Sequence, residues 1–238
     1  MKKRMTQPQD MTCGTPWKLI LMFAVPLILG NIFQELYTIV DTMVVGKKLG
    51  VNALAAVGAT GWVFMFNSML IQGFTQGFGI QIAKMVGEND TVKLKRAISN
   101  SIILSALLSI VLLLGMQLII NPAMHILRIP LNIRDISVTY LRVIFVGIPF
   151  SVAYNIFAVI LRSLGNSKTP LNAMVISTSS NIVLDILFVV GFQWGVIGAA
   201  VATIISQLLS AVYCFVILNK CDIFKAKYIE FRLDIAET

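Results

Sequence analysis

Apolar residues run through this chain in stretches of twenty or more, broken by short polar connections. Runs of that length match the hydrocarbon core of a bilayer and lack the alternation of barrel strands. They predict an all-α membrane protein with six transmembrane helices. The first runs from about Trp17 to Val45, with Pro26 inside it as the expected bend, because proline removes a backbone hydrogen bond. The second covers about Asn52 to Val86, and the third Ala97 to Ile120, closed by Asn121-Pro122. The fourth covers Ile136 to Leu164 around Pro149, the fifth Leu171 to Phe192, and the sixth Val196 to Leu218. Residues 1–16 then form an amino-terminal segment, 17–218 the six-helix body and 219–238 a polar tail.

Polar residues inside the spans are the informative exceptions. In the first span Asn31, Gln34, Thr38 and Asp41 recur at three- and four-residue steps, which predicts one stripe on a helix. An ionisable residue within the membrane costs at least ~2.5–3.5 kcal/mol and marks an ion or substrate pathway by default. Asp41 lies six residues before Lys47, where the first span exits. Asp185 lies six before Gly191, and Thr203 eight after Gly195. At 1.5 Å per residue all three fall roughly 9–12 Å below the outer interface. Asn181 is one turn below Asp185 on the same face.

Composition agrees with the pattern. Of 238 residues 57% are hydrophobic and 13% charged, about half the charged share of a soluble domain, and mean hydropathy is +0.85. The net charge of +8 is an orientation signal and not a nucleic-acid footprint. Fourteen Lys and Arg flank the spans on one side against four on the other, which predicts both termini in the cytoplasm. Cys13, Cys214 and Cys221 have no pairing pattern, and His125 alone makes no metal site. MKKR followed by polar TQPQD is not a cleavable leader, because the first apolar run leads into a full span. Arg142 inside the fourth span is expected to snorkel outward. The run Gly73–Gly79 lacks the Gly-Lys-Ser/Thr ending of a phosphate loop.

Three stretches, PLILGNIFQELYTIVDTMVVGKKLGVNALAAVGAT, MVGENDTVKLKRAI, and SLGNSKTPL followed by SSNIVLDILFVVGFQWGVIGAAVATIISQ, resemble the MATE (multidrug and toxic compound extrusion) transporters. The likeness covers residues 17–220 and is nearest the DinF-type branch, with an acid in the first helix and Asn-x-x-x-Asp in the fifth. It implies one lobe, the amino-terminal, of a two-lobed plasma-membrane antiporter driven by Na⁺ or H⁺, exporting amphipathic drugs or toxic organic compounds. It implies no enzyme activity and no cofactor beyond the coupling ion. The expected partners are a small organic substrate, the lipid bilayer, and a second lobe or second copy to complete the cavity. Carried over by position, the ion site is Asp41, Asn181, Asp185 and Thr203, with Tyr140 and Asn155 in a wider polar network. Gln34 and Tyr37 are expected cavity contacts. Carboxylate, amide and hydroxyl oxygens suit hard cations, and the absence of His or Cys from the set argues against zinc or copper.

Position 35 departs from the family pattern, where a neutral residue such as Gln is commoner than Glu. Glu35 is about 240° around the helix from Asp41 at 100° per residue, so it is not expected to share that site. Its readings are a second-helix contact, a cavity-lining acid or a packing residue. A half-length chain also fits a non-transporting fragment. A flippase of lipid-linked substrates would carry several basic residues in its cavity, where only Arg142 lies within a span. An intramembrane aspartyl protease would carry Gly-x-Gly-Asp, and the acids here sit in IVD and VLD.

Overall fold

The computed structural model describes residues 15–88 and 90–221 and is helical from end to end, with no strand among them. The amino-terminal segment, Cys13 and most of the tail lie outside the described residues. Helix α1 spans Pro16–Gly87, α2 Thr91–Ile126, α3 Leu131–Val146, α4 Ile148–Ser163, α5 Lys168–Asp185 and α6 Gly195–Leu218. A π-helical stretch, Ile186–Gly191, extends α5. Among the described residues four helices are long and apolar enough to cross a membrane, or five when the bent pair α3–α4 counts as one span.

Helix α1 has 72 residues, about 108 Å at 1.5 Å per residue, against a hydrocarbon core of about 30 Å. It is broken at Gly50, where φ is 83° and ψ −178°. That backbone region is open essentially to glycine alone. The break separates an arm of residues 16–49 from an arm of 51–87, between the expected first and second spans. The backbone stays helical through Pro26, which is buried.

One expected helix end needs correcting, and two of the expected spans are not uniform helices. Helix α2 does not close at Asn121-Pro122 but continues to Ile126, with Ile120 and Met124 both buried. Packing of that face outweighs the one hydrogen bond that Pro122 removes. The helix ends instead where Arg128 takes a left-handed φ of 50° and Ile129 N–H donates to the Met124 carbonyl at 3.1 Å. The fourth span is two helices meeting at 47°. Its bend lies at Gly147, two residues before Pro149, where a Cβ would stand 2.7 Å from Ile204 Cγ1 of α6. The fifth span widens into the π-helical stretch immediately after Asp185.

Two apolar clusters hold the bundle. One gathers Leu141, Ile144, Phe145, Met116 and Ile71; the other gathers Ile160, Leu161, Ile98, Ile82 and Leu218. A third, smaller cluster joins Val45, Ala53, Val189 and Ala199. At the other end of the chain's first hairpin, Asp90 caps α2 by accepting from Val92 N and Lys93 N, each at 3.0 Å.

Gly50→Val is expected to strain the break by about 1–3 kcal/mol, read as a lowered thermal midpoint in detergent with Gly50→Ala intermediate or similar. The bonds from the Lys93 and Val92 amides hold the Asp90 carboxyl below its ordinary value. The cap is therefore fully present above the unfolded carboxyl range and is lost as pH falls through the lower folded value. Amide exchange at Val92 and Lys93, corrected for intrinsic rates, should accelerate in that acid window, and in Asp90→Ala it should be fast at every pH.

Candidate cation site between α1, α5 and α6

The small apolar cluster fixes the level of the polar one. Val45, Val189 and Ala199 each stand four residues, one helical turn, outward of Asp41, Asp185 and Thr203. Since the three apolar side chains touch, the three polar ones share a layer just beneath them. Asp185, Asn181, Thr203 and Asp41 are 0%, 1%, 4% and 8% exposed.

A close helix approach sets the register of this layer. A Cβ on Gly30 would lie 2.8 Å from Met174 Sδ and 3.9 Å from Leu171 Cδ1, so glycine here lets the Met174 side chain of α5 seat directly against α1. Eleven residues later on each helix stand Asp41 and Asp185. Eleven residues are close to three full turns, so both pairs use the same faces of two parallel helices. The carboxyl groups of Asp41 and Asp185 reach hydrogen-bonding contact. Each nonetheless keeps a buried oxygen, Oδ1, with no hydrogen-bond partner. Asn181 Nδ2 donates to Asp185 Oδ2 at 2.8 Å while its Oδ1 accepts from Thr203 N at 3.2 Å. In the opposite orientation the amide nitrogen faces Thr203 Oγ1 at 3.4 Å.

The remaining candidates separate. Asn155 donates to its own helix, at the Ser151 carbonyl, 2.9 Å away. The Ser151 hydroxyl in turn donates to Gln207 Oε1, one turn from Thr203 on α6. Ser151 and Gln207 thus link α4 to α6 and were missed by sequence reasoning. The i, i+4 spacing of Thr203 and Gln207 was the available signal. Tyr140 is buried in the cluster around Phe145. The Tyr37 side chain lies outside the described residues. Gln34 is exposed, and its carbonyl accepts from Thr38 Oγ1 at 3.1 Å.

The expected stripe of Asn31, Gln34, Thr38 and Asp41 lies within about 80° of arc at 100° per residue, yet only Asp41 is buried and the other three are exposed. Asn31 instead joins Glu35 on an open face. His125 is exposed, and its Nε2 accepts from Arg134 Nη2 at 2.7 Å. Cys214 and Cys221 are buried, and the Cys221 thiol donates to the Ile217 carbonyl at 3.6 Å. No group of three or more His, Cys, Asp or Glu that could hold a metal occurs among the described residues. The layer's oxygens come from only two carboxylates, an amide and a hydroxyl.

Several long apolar helices with paired acids inside the packed core define a helical membrane protein. The chain belongs to the MatE family, whose model matches residues 26–187. It is 30% identical over 208 residues to the probable multidrug resistance protein YoeA of Bacillus subtilis, covering 86% of this chain and 45% of that one. A solved structure of MATE in the bent conformation superposes with a TM-score of 0.79 at 31% identity, over 84% of this chain and 45% of that one. One in the straight conformation gives 0.80 at 30%, over 92% and 48%. The chain therefore spans about half the length of the curated relatives it matches.

Gly30→Leu is expected to drive α1 away from α5 and lower stability by about 1–3 kcal/mol. Thermal unfolding in detergent measures the loss, and Met174→Ala in the same chain should restore most of it. Failure of that second change to restore anything would remove the Gly30–Met174 contact as the cause.

Proposed function

We propose that the chain forms one lobe of a Na⁺- or H⁺-coupled antiporter that exports amphipathic organic compounds. In this reading six spans place both termini in the cytoplasm, and a facing lobe, or a second copy, completes the central cavity. Asp41, Asn181, Asp185 and Thr203 bind the coupling ion.

The observation that carries the reading is the contact between two buried carboxyl groups that each retain an orphan oxygen. Two carboxylates in contact inside an apolar bundle repel unless a proton or a cation lies between them. The orphan Oδ1 atoms supply hard-cation ligands, and the Asn181 amide and Thr203 hydroxyl add two more oxygens. A proton on one carboxyl serves equally, by letting it donate to the other. The Asn181 amide donates Nδ2 to Asp185 Oδ2 at 2.8 Å and so fixes that carboxyl group in the layer. Ion binding and ion loss are then two charge states of one layer.

The link to the cavity runs through α1. Pro26 leaves one backbone carbonyl of the helix without its partner, which lowers the cost of bending there. That related structures are described as bent and straight supports such a movement. A shift of Asp41 at the layer would then be felt at Pro26, beyond the Gly30 contact.

Asp41→Asn, made in a complete transporter carrying this lobe, is expected to abolish efflux driven by an imposed Na⁺ or proton gradient while leaving the protein in the membrane. Asp185→Asn should do the same. Gradient-driven efflux at the wild-type rate in either variant would sink the proposal.

A further inference from the structure

We infer that the seam between α2 and α3 is a docking site for one anionic phospholipid, whose phosphate is held by Arg142. The site stands apart from the exporter reading and does not rest on it.

Two hydrogen bonds tie the seam. His125 Nε2 accepts from Arg134 Nη2 at 2.7 Å, and Gln117 Nε2 donates to the Arg142 carbonyl at 2.9 Å. The two bonds lie eight residues apart on each helix, about 12 Å, so α2 and α3 run antiparallel in fixed register between them. Gln117, Asn121 and His125 follow one another at four-residue steps on one face of α2, and Arg134 and Arg142 stand opposite on α3. A line of polar groups thus leads from the α2–α3 connection to Arg142.

Depth makes that arginine unusual. Arg142 is twelve residues from Pro130, where α3 begins, about 18 Å along the helix. That is near the middle of a hydrocarbon core of about 30 Å. Arg142 is nonetheless exposed, and its guanidinium has no hydrogen-bonded or acidic partner among the described residues. Leu114, Leu118 and Val146, on the same side, are 58%, 78% and 55% exposed. Every exposed residue of α2 between Ala106 and Ile119 is apolar, so this face meets acyl chains and not water.

A charge turned to hydrocarbon at that depth is costly, and snorkelling and local bilayer thinning relieve the cost. Both have a direction here. Helical side chains lean toward the helix N-terminus, and that of α3 lies at the α2–α3 connection. The guanidinium therefore rises along the polar line toward the phosphates of the nearer leaflet. Its fork of N–H donors matches two phosphate oxygens at once. Arg128 and Arg134 stand above it with one acid, Asp135, so the seam favours a headgroup of net negative charge over a zwitterionic one. The acyl chains lie on Leu114, Leu118 and Val146.

The probes are phosphatidylglycerol and phosphatidylcholine with identical acyl chains. Each is titrated into the full 238-residue chain in detergent, and bound lipids are counted by native mass spectrometry. The wild type is expected to bind the first phosphatidylglycerol at least about tenfold more tightly than phosphatidylcholine, the scale of one charge-assisted contact. Arg142→Gln should remove most of that preference. Arg142→Lys, which keeps the charge and loses the fork, should retain a reduced preference. Without added lipid, both variants should unfold at the wild-type temperature, because the side chain is exposed. Equal binding of the two lipids by the wild type, or an undiminished preference in Arg142→Gln, overturns the inference. So does a loss as complete in Arg142→Lys as in Arg142→Gln, or a lowered unfolding temperature, which marks Arg142 as a packing residue. Displacement of the lipid by glycerophosphoglycerol, the headgroup without chains, at equal concentration overturns it in favour of a soluble anion. In a complete transporter carrying this lobe the preference should persist, and its loss there assigns the face to a facing lobe instead.

Discussion

Two carboxyl groups in contact inside an apolar helix bundle are the constraint on which this lobe turns. Asp41 and Asp185 are buried and face one another across parallel helices. Such a pair gains nothing from solvent and repels when both members are charged. It persists because the surrounding packing holds it. Gly30 admits Met174 at one level, and eleven residues further the same faces present the acids. The apolar contact of Val45, Val189 and Ala199 clamps the layer from the outer side. The geometry is thus imposed by neighbours that carry no charge.

Much of this was legible in the sequence, and the reason is the regularity of the helix. A fixed rise per residue turns distances to Lys47, Gly191 and Gly195 into depths, and so Asp41, Asp185 and Thr203 could be levelled before any contact was known. That the apolar runs form helices was legible for the same reason. Where prediction failed, a local signal met a tertiary one. Pro122 reads as a stop, yet the buried face of Ile120 and Met124 carries α2 past it. The fourth span reads as one helix, yet the chain turns at Gly147, where α6 approaches. The Ser151–Gln207 link joins residues 56 apart, and the spacing of Thr203 and Gln207 on one helix does not name the partner on the other. The stripe on α1 was legible as one narrow face, but its burial was not, because the neighbouring helices cover Asp41 and leave Asn31, Gln34 and Thr38 exposed.

The first arm of α1 divides its polar residues between two environments. The face with Gly30 and Asp41 is committed to α5, and the face with Asn31 and Glu35 is left open. A single rigid element therefore carries both the inner layer and the open face. Displacing it changes both at once, and no separate relay between them is needed.

The cap of Val45, Val189 and Ala199 gives this arrangement a directional character. It is a dry layer one turn thick between the carboxyl pair and the outer end of the bundle. For a coupling ion held by the acids as proposed, the layer offers no polar step toward that end of the bundle. The tightness of such a cycle would then be set by small aliphatic side chains rather than by the acids.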